Sequence, residues 1–423
     1  MKANAAYWTR YNNPPRARLR GLARNPTLTG PALLRMYTHP ERMHHTVLSR
    51  REWTREAFDT LAGHPDAEVR AALAQSEHLT PELRARLVDD PSRKVRAALA
   101  EGPQWRAYWE RREPLLPHWA YARLAADEHP AVRDTVRSAY HAPAEFREPD
   151  RPAGPADPAD PDVLARSADQ YERANAARDP ALPAELVAAL AADPEPDVRL
   201  AVSMRRELTE AERAAIDYRV APGDRIRPAG WATTTTDPDE IERCVRSAHL
   251  GLRRSVAYNP RLQPEQIAVL AADGDFAVRL LLCENHRVVP GETVLATYLE
   301  SRVITAAAML HHPSFPRRGL AAGADSPDPR LRALAHLDPD APAGLVDRLS
   351  RDEDPRVRGW TAQDRRLTAA RVLELLEDPA TAEPAAANPN LPVNAWDRIF
   401  AEAEHIVDPD VGEQIIYLGR SDD

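Results

Sequence analysis

The chain has 423 residues, 43% of them hydrophobic but only 6% aromatic, and a formal net charge of −9 at pH 7. Much of the apolar content is alanine, which suits many small cores better than one large one, and the acidic balance excludes a chain that coats nucleic acid along its whole length. Length alone suggests about two or three ordinary domains, but internal repetition overrides that estimate, because a repeat array extends as one body of any length.

The charge is unevenly placed. Residues 1–60 carry 11 Lys/Arg against 4 Asp/Glu, whereas residues 371–423 carry 3 against 12. Lys2 and Lys94 are the only lysines, a bias that a GC-rich coding sequence explains without function. The two cysteines, Cys244 and Cys283, are too few for a disulfide scaffold or a cysteine-ligated cluster and are expected to be reduced and structural. The N-terminus has no apolar run of signal-peptide length, and no 18-residue apolar span occurs, so the expectation is a soluble cytoplasmic protein with no membrane partner and no cofactor.

Taken in order, the chain repeats one unit. An acidic residue and usually a proline or glycine precede a Val-Arg pair that opens an alanine-rich segment, as in Asp90 to Ala98, Asp127 to Val136, Asp193 to Val202, Asp273 to Leu281 and Asp354 to Ala362. Aligned on the apolar residue before the usual arginine, the copies fall at Leu19, Met43, Val69, Val95, Val132, Tyr171, Val198, Ile226, Leu252, Val278, Val303, Leu331, Val357, Ala382 and Val411, and twelve of the fourteen spacings are 24–29 residues. Leu79 to Leu99 shows the grammar. Thr80 caps a helix, Pro81 takes its first position and Glu82 faces its positive end. Leu83, Leu87 and Val88 form an apolar stripe, and Asp89-Asp90-Pro91 stops the helix, because the residue before proline leaves the α region. A second segment from Val95 to Ala100 is too short to persist alone and needs its neighbours. Each copy therefore reads as a longer helix followed by a shorter one, with no convincing β alternation. The fold class is all-α, a solenoid of about fifteen such repeats.

Two gaps break the period. Gly102 to Tyr121 inserts aromatic and basic residues, with Trp105, Arg106, Tyr108, Trp109, Arg111, Arg112, Trp119 and Tyr121 as the best local candidates for a binding site. Aromatic faces beside guanidinium groups stack bases or grip a peptide; the structural alternative is a plug over the break in the array. Glu148 to Pro161 is rich in Pro, Ala and Asp and reads as an exposed loop. The organisation is then a basic block over 1–141 containing the 101–121 insert, a Pro-rich loop or linker over 142–165, and a block over 166–423 with an acidic capping end. Trp231 to Asp237 reads as a polar turn leading into a helix cap. The aromatic first twelve residues and the apolar run from Gln414 to Leu418 read as caps on the two ends.

Units such as Ala386 to Pro392 and Ala257 to Leu282, with their Asn-Pro turns and Val-Arg starts, resemble the leucine-rich repeat variant family of bacteria, which is similar in form to HEAT-like arrays. The resemblance implies a right-handed superhelix of alternating α- and 3₁₀-helices. One member type carries an iron–sulfur module on clustered N-terminal cysteines; this chain has no cysteine before Cys244, so that cofactor does not carry over. The family fixes no function.

The arginine after the anchor recurs as Arg20, Arg70, Arg96, Arg133, Arg199, Arg227, Arg253, Arg279, Arg332 and Arg358, with His44, Glu172, Ile304, Glu383 and Gly412 as exceptions. Stacking would align these side chains, either as a cationic ladder for an anionic ligand or as braces paired with the Asp of each turn. The N-terminal quarter adds Trp8, Trp53, His39, His44 and His45. The adjacent pairs His44-His45 and His311-His312 make poor metal sites, since sequence neighbours do not share a helix face. No zincin, CxxC, nucleophile-elbow or P-loop motif occurs, so neither catalytic residues nor a metal site are assigned. The function expected is non-enzymatic recognition of a protein or peptide on a concave surface; the alternative is nucleic-acid binding by the basic N-terminal block, including, by analogy with HEAT-like arrays, a DNA glycosylase using Trp105 and Trp109.

Overall fold

The computed structural model describes residues 13–41, 43–103, 115–148, 160–301, 306–404 and 406, and all regular structure among them is helical. The helices are short, four to twelve residues, and they pack chiefly on their sequence neighbours, consistent with a repeat arrangement. Three 3₁₀ segments occur among the described residues, Ala144–Phe146, Leu320–Asp325 and Ala335–Leu337. The chain divides into two compact units. One comprises residues 1–105, 115–139 and 317–423; the other comprises 106–114 and 140–316.

Acidic caps set the helix starts. Asp66, Asp169, Asp275, Asp328 and Asp354 each accept a backbone N–H from the first turn of the helix they precede, satisfying one of the donors a helix start leaves open. The expected order of long then short holds for Gly30–Tyr37 with His44–Leu48 and for Ala369–Glu377 with Ala382–Ala386, but other copies reverse it. Pro81–Ala85 has five residues and Arg93–Glu101 has nine; Pro264–Ala271 has eight and Phe276–Asn285 has ten. After Ala85 the backbone tightens into i to i−3 bonds, Leu87 N to Arg84 O at 3.0 Å and Val88 N to Ala85 O at 3.2 Å, which ends the first helix early. The second helix then runs through the alanines, whose small side chains let it bury Val95, Leu99 and Ala100.

Two further expectations change. Trp231 to Thr234 is helical, not a turn: the hydroxyls of Thr233 and Thr234 donate to Gly230 O at 2.8 and 2.9 Å, so the threonine side chains bond back onto the helix's own backbone. Asp237 does cap the next helix, Pro238–Val245. Conversely, the copy anchored on Ile226 forms no second helix. Residues 217–229 are irregular, because Pro222-Gly223 and Pro228 deny the segment helical hydrogen bonds. The buried Arg254 guanidinium supports this segment instead, donating to Asp224 O at 3.0 Å and pairing with Asp275 at 2.8 Å.

Buried amides tie successive copies together at the Asn-Pro turns. Asn259 Nδ2 donates to Ala232 O and Thr235 O, both at 3.0 Å, and Asn388 Nδ2 to Ala362 O and Asp364 O at 2.8 and 2.9 Å. His286 and His312 do the same work with Nε2, on Ala257 O and His286 O at 2.9 and 2.7 Å. Each closes carbonyls that the preceding helix end leaves unpaired.

The same bond appears where the sequence provides no preceding copy. Asn25 Nδ2 donates to Ala386 O at 3.1 Å and Asn388 O at 2.7 Å. Helix Pro14–Arg24 packs on Ala382–Ala386 and on Val393–Glu404, so the first described repeat stacks on the last in the register used between consecutive copies. Gly21 allows the approach: a Cβ there would lie 2.0 Å from Glu383 O and 2.7 Å from Ala386 Cβ. The residues expected to cap the two ends, 1–12 and 414–418, lie outside the described residues.

Candidate functional site

The repeat arginines point back into the protein. Arg332 Nε and Nη2 grip the Asp352 carboxylate at 2.8 and 2.9 Å while Nη1 donates to Ser326 O and Pro327 O at 2.9 and 3.3 Å. Arg70 holds Asp90, Arg96 holds Asp127 and Arg253 holds Asp273 in the same two-pronged way. Arg358 reaches Asp378 at 3.0 Å, Arg199 lies 3.6 Å from Asp217, and Arg279 pairs with Glu300. The next arginine in line then takes the backbone carbonyl of the same aspartate. Arg358 donates to Asp352 O at 3.0 Å, Arg96 to Asp90 O at 2.8 Å, Arg133 to Asp127 O at 2.6 Å and Arg279 to Asp273 O at 2.5 Å. Each aspartate thus clamps two consecutive copies, and its Oδ1 also accepts the N–H two residues on, as Asp354 N to Asp352 Oδ1 at 2.9 Å. The arginine hydrogen bonds hold the carboxyls of Asp127, Asp193 and Asp352 below the usual range.

Arg173 belongs to this column, and the alignment on Tyr171 passes it over. Its Nε and Nη2 meet Asp193 at 2.7 and 3.0 Å, and its Nη1 meets Ser167 O and Ala168 O, both at 3.0 Å. The signal is present in the chain: Arg173 follows Asp169 by the same four residues that separate Arg358 from Asp354. Four column members depart from the aspartate scheme. Arg227 donates to Asn175 Oδ1 at 2.9 Å, Arg20 and Arg279 meet glutamates, Glu383 and Glu300, and Arg133 bonds the carbonyls of Asp127 and Glu128.

Of the aromatic–arginine insert, Trp105, Arg106, Tyr108, Trp109, Arg111 and Arg112 lie outside the described residues. Trp119 and Tyr121 sit two apart on helix His118–Ala125 and so face different ways. Trp119 is 57% exposed, whereas Tyr121 is buried and its hydroxyl accepts the Leu115 N–H at 2.9 Å. Among the histidines, His39 and His312 are buried, and the His44 and His45 rings lie 4.2 Å apart. Both cysteines are free and buried, and burial pushes their thiols up to about 12. No group of three or more His, Cys, Asp or Glu among the described residues could hold a metal ion, and no described helix is long and apolar enough to cross a membrane.

A large concavity among the described residues lies beside the seam where the first described repeat meets the last described one. A groove of about 700 Å³ runs between Arg20 and Arg24 on one side and Pro355, Arg356, Gly359 and Trp360 on the other, with Pro379, Ala380, Glu383 and Pro384 as its floor. Glu383 neutralises Arg20 and Arg24 at 2.7 and 2.6 Å, and Asp354 pairs with Arg356 at 2.7 Å. The Arg356 side chain bonds and its backbone N–H hold the Asp354 carboxyl down at about 2. Arg24 and Arg356 nonetheless remain open to solvent, with side chains 42% and 68% exposed. The groove therefore offers a proline, alanine and tryptophan surface between cationic rims. Sequence periodicity could not reveal it, because its two walls are more than 300 residues apart in the chain.

No known protein-family model matches the chain, and no curated protein matches it.

Proposed function

We propose that the chain is a non-enzymatic recognition protein that binds an extended peptide segment of a partner in the seam groove. The observation that carries this reading is the groove itself, with its proline, alanine and tryptophan surface and two solvent-open guanidiniums, Arg24 and Arg356. Apolar area supplies affinity and the rim arginines select acidic flanking residues. The residue pattern's resemblance to leucine-rich repeat variants supports a right-handed superhelical array as the scaffold, since such arrays present extended concave faces. The nucleic-acid alternative has less to draw on, because Arg18 and Arg20 in the basic N-terminal stretch pair with Glu377, Glu402 and Glu383 and are enclosed, with side chains 12% and 11% exposed.

The test is selection of displayed peptides on the full chain, followed by titration of the selected peptides against Ala380→Trp, which fills the groove, and Arg356→Glu, which reverses a rim charge. Loss of at least about tenfold in affinity in both variants is expected. Peptides that bind the variants as tightly as the parent, or binding of oligonucleotides that weakens steeply with salt while no peptide is selected, would overturn the reading.

A further inference from the structure

A second concavity lies wholly within the unit that contains residues 140–316. It encloses about 340 Å³, within the size range of small-ligand pockets, roughly 300–1,000 Å³. Arg178, Arg205, Arg206 and Arg227 line it, against one carboxylate, Glu207. Two of these arginines are committed. Arg205 pairs with Glu207 and donates to the carbonyls of Ala177 and Asp179 at 2.9 and 2.7 Å. Arg206 pairs with Glu240 at 2.5 Å.

Arg178 and Arg227 differ from the carboxylate-paired braces described above. Neither has a carboxylate within ion-pair distance among the described residues. Each donates one Nη1 hydrogen bond to a neutral acceptor, Arg178 to Ala174 O at 2.6 Å and Arg227 to Asn175 Oδ1 at 2.9 Å. The acceptors belong to adjacent residues, so one helix end gathers both cations, and the other donors of each five-donor guanidinium are left for a ligand. Burial, and then the Arg227 charge, push the Arg178 guanidinium below its ordinary value, with Asp197 acting more weakly the other way, as expected of like charges held close without a bonded counterion. Trp231 also lines the pocket and is fixed there, its Nε1 donating to Met204 O at 2.9 Å.

We propose that this pocket binds a small-molecule phosphomonoester, with the phosphoryl oxygens held by Arg178 and Arg227 and the organic part against Trp231. Two guanidiniums without a bonded anion match the charge and the fork geometry of a phosphate dianion. The volume leaves room for a body beyond the phosphate, and the indole supplies an apolar surface for it.

The experiment is isothermal titration of the full chain at low salt with adenosine monophosphate, inorganic phosphate and adenosine. Arg227→Gln and Arg178→Gln are the test variants, and Arg225→Gln, in the same irregular segment but outside the pocket, is the control. The monophosphate should bind the parent and Arg225→Gln alike, weaken at least about tenfold in the two test variants, and bind more tightly than phosphate, with adenosine silent. If Arg178→Gln loses its helical circular dichroism, Arg227→Gln, on an exposed residue, decides alone. No binding of the monophosphate in the millimolar range, or binding that the test variants leave unchanged, overturns the site. Phosphate binding as tight as the monophosphate overturns the phosphomonoester assignment.

Discussion

Arg20 and Glu383 are separated by 363 residues in sequence and by 2.7 Å in space, from Nη2 to Oε2. Glu383 stands at the position where most copies carry the repeat arginine, so two stacked arginines are avoided and the first described repeat meets an anion on the copy anchored at Ala382. Arg24 completes the arrangement from the next turn of its helix, at 2.6 Å from Oε1 of the same carboxylate. Arginines from the basic residues 1–60 and acids from the acidic residues 371–423 face each other across this seam.

The seam yields a first prediction. Gly21→Val places side-chain atoms where Glu383 O already lies, so helix Pro14–Arg24 must withdraw from Ala382–Ala386. Overpacking of this kind costs about 1–3 kcal/mol or more. Hydrogen exchange should show lost protection in 14–24 and 382–404 while the helices of 164–300 keep theirs. Glu383→Gln, which leaves the backbone contact intact, should lower the denaturation midpoint by less and increasingly so at low salt. Uniform loss of protection along the whole chain in Gly21→Val would contradict a local seam.

Asp352 anchors the second. Its carboxylate holds Arg332 with side chains 10% and 14% exposed, and its carbonyl receives Arg358. Asp352→Asn leaves a largely enclosed guanidinium without its anion, and a loss of about 2 kcal/mol in denaturant unfolding is expected. Asp325→Asn removes an ion pair to Arg348 whose side chains are 80% and 56% exposed, and a change of no more than about 0.5 kcal/mol is expected. Equal effects of the two substitutions would mean that the brace does not join the copies.

The third concerns pH. His249 is buried, stacks on Tyr218 with ring centroids 4.1 Å apart and bonds Ser203 Oγ through Nε2 at 2.8 Å. Burial, aided by Arg213, pushes its pKa from 6.5 down to about 4. The folded value is below the unfolded one, so the unfolded chain takes up the proton first as pH falls. The stability this neutral histidine permits is complete above about pH 6.5 and is lost progressively down to about pH 4, to a total of about 3 kcal/mol. His39, His78, His312 and His336 are also lowered by burial and add to the slope in the same direction. His249→Phe keeps the ring stack and should flatten the slope between about pH 6.5 and 4 by up to one proton, read from denaturation midpoints across that range. An unchanged slope would exclude His249 as a contributor.

How much of this was legible follows from what each signal measures. The Asp-Pro turns and Val-Arg starts are local, and their capping bonds depend on residues two or three apart, so a reader of the chain meets them directly. Arg173 falls one position out of the aligned column because Tyr171 is apolar and attracts the alignment, although the spacing from Asp169 to Arg173 is the sounder guide. The helix missing at Ile226 follows from two flanking prolines that outweigh a matching anchor. Trp119 and Tyr121 group by composition, yet one is on the surface and the other in the core, since two residues along a helix turn the side chain to a different side.

The sequence by itself determined the helical class, the period and the caps, and it placed an acid near most repeat arginines without deciding between a brace and an open ladder, because these features rest on neighbours within about one repeat length and on the chemistry of proline, aspartate and arginine. Only the tertiary structure decided that the first described repeat stacks on the last, that the opposite charges of the two ends meet there, and that Arg178 and Arg227 share a pocket without a bonded counterion. Those relationships depend on surfaces brought together by packing across up to 384 residues, and Coulomb attraction and close approach at Gly21 act through space, where sequence distance has no meaning.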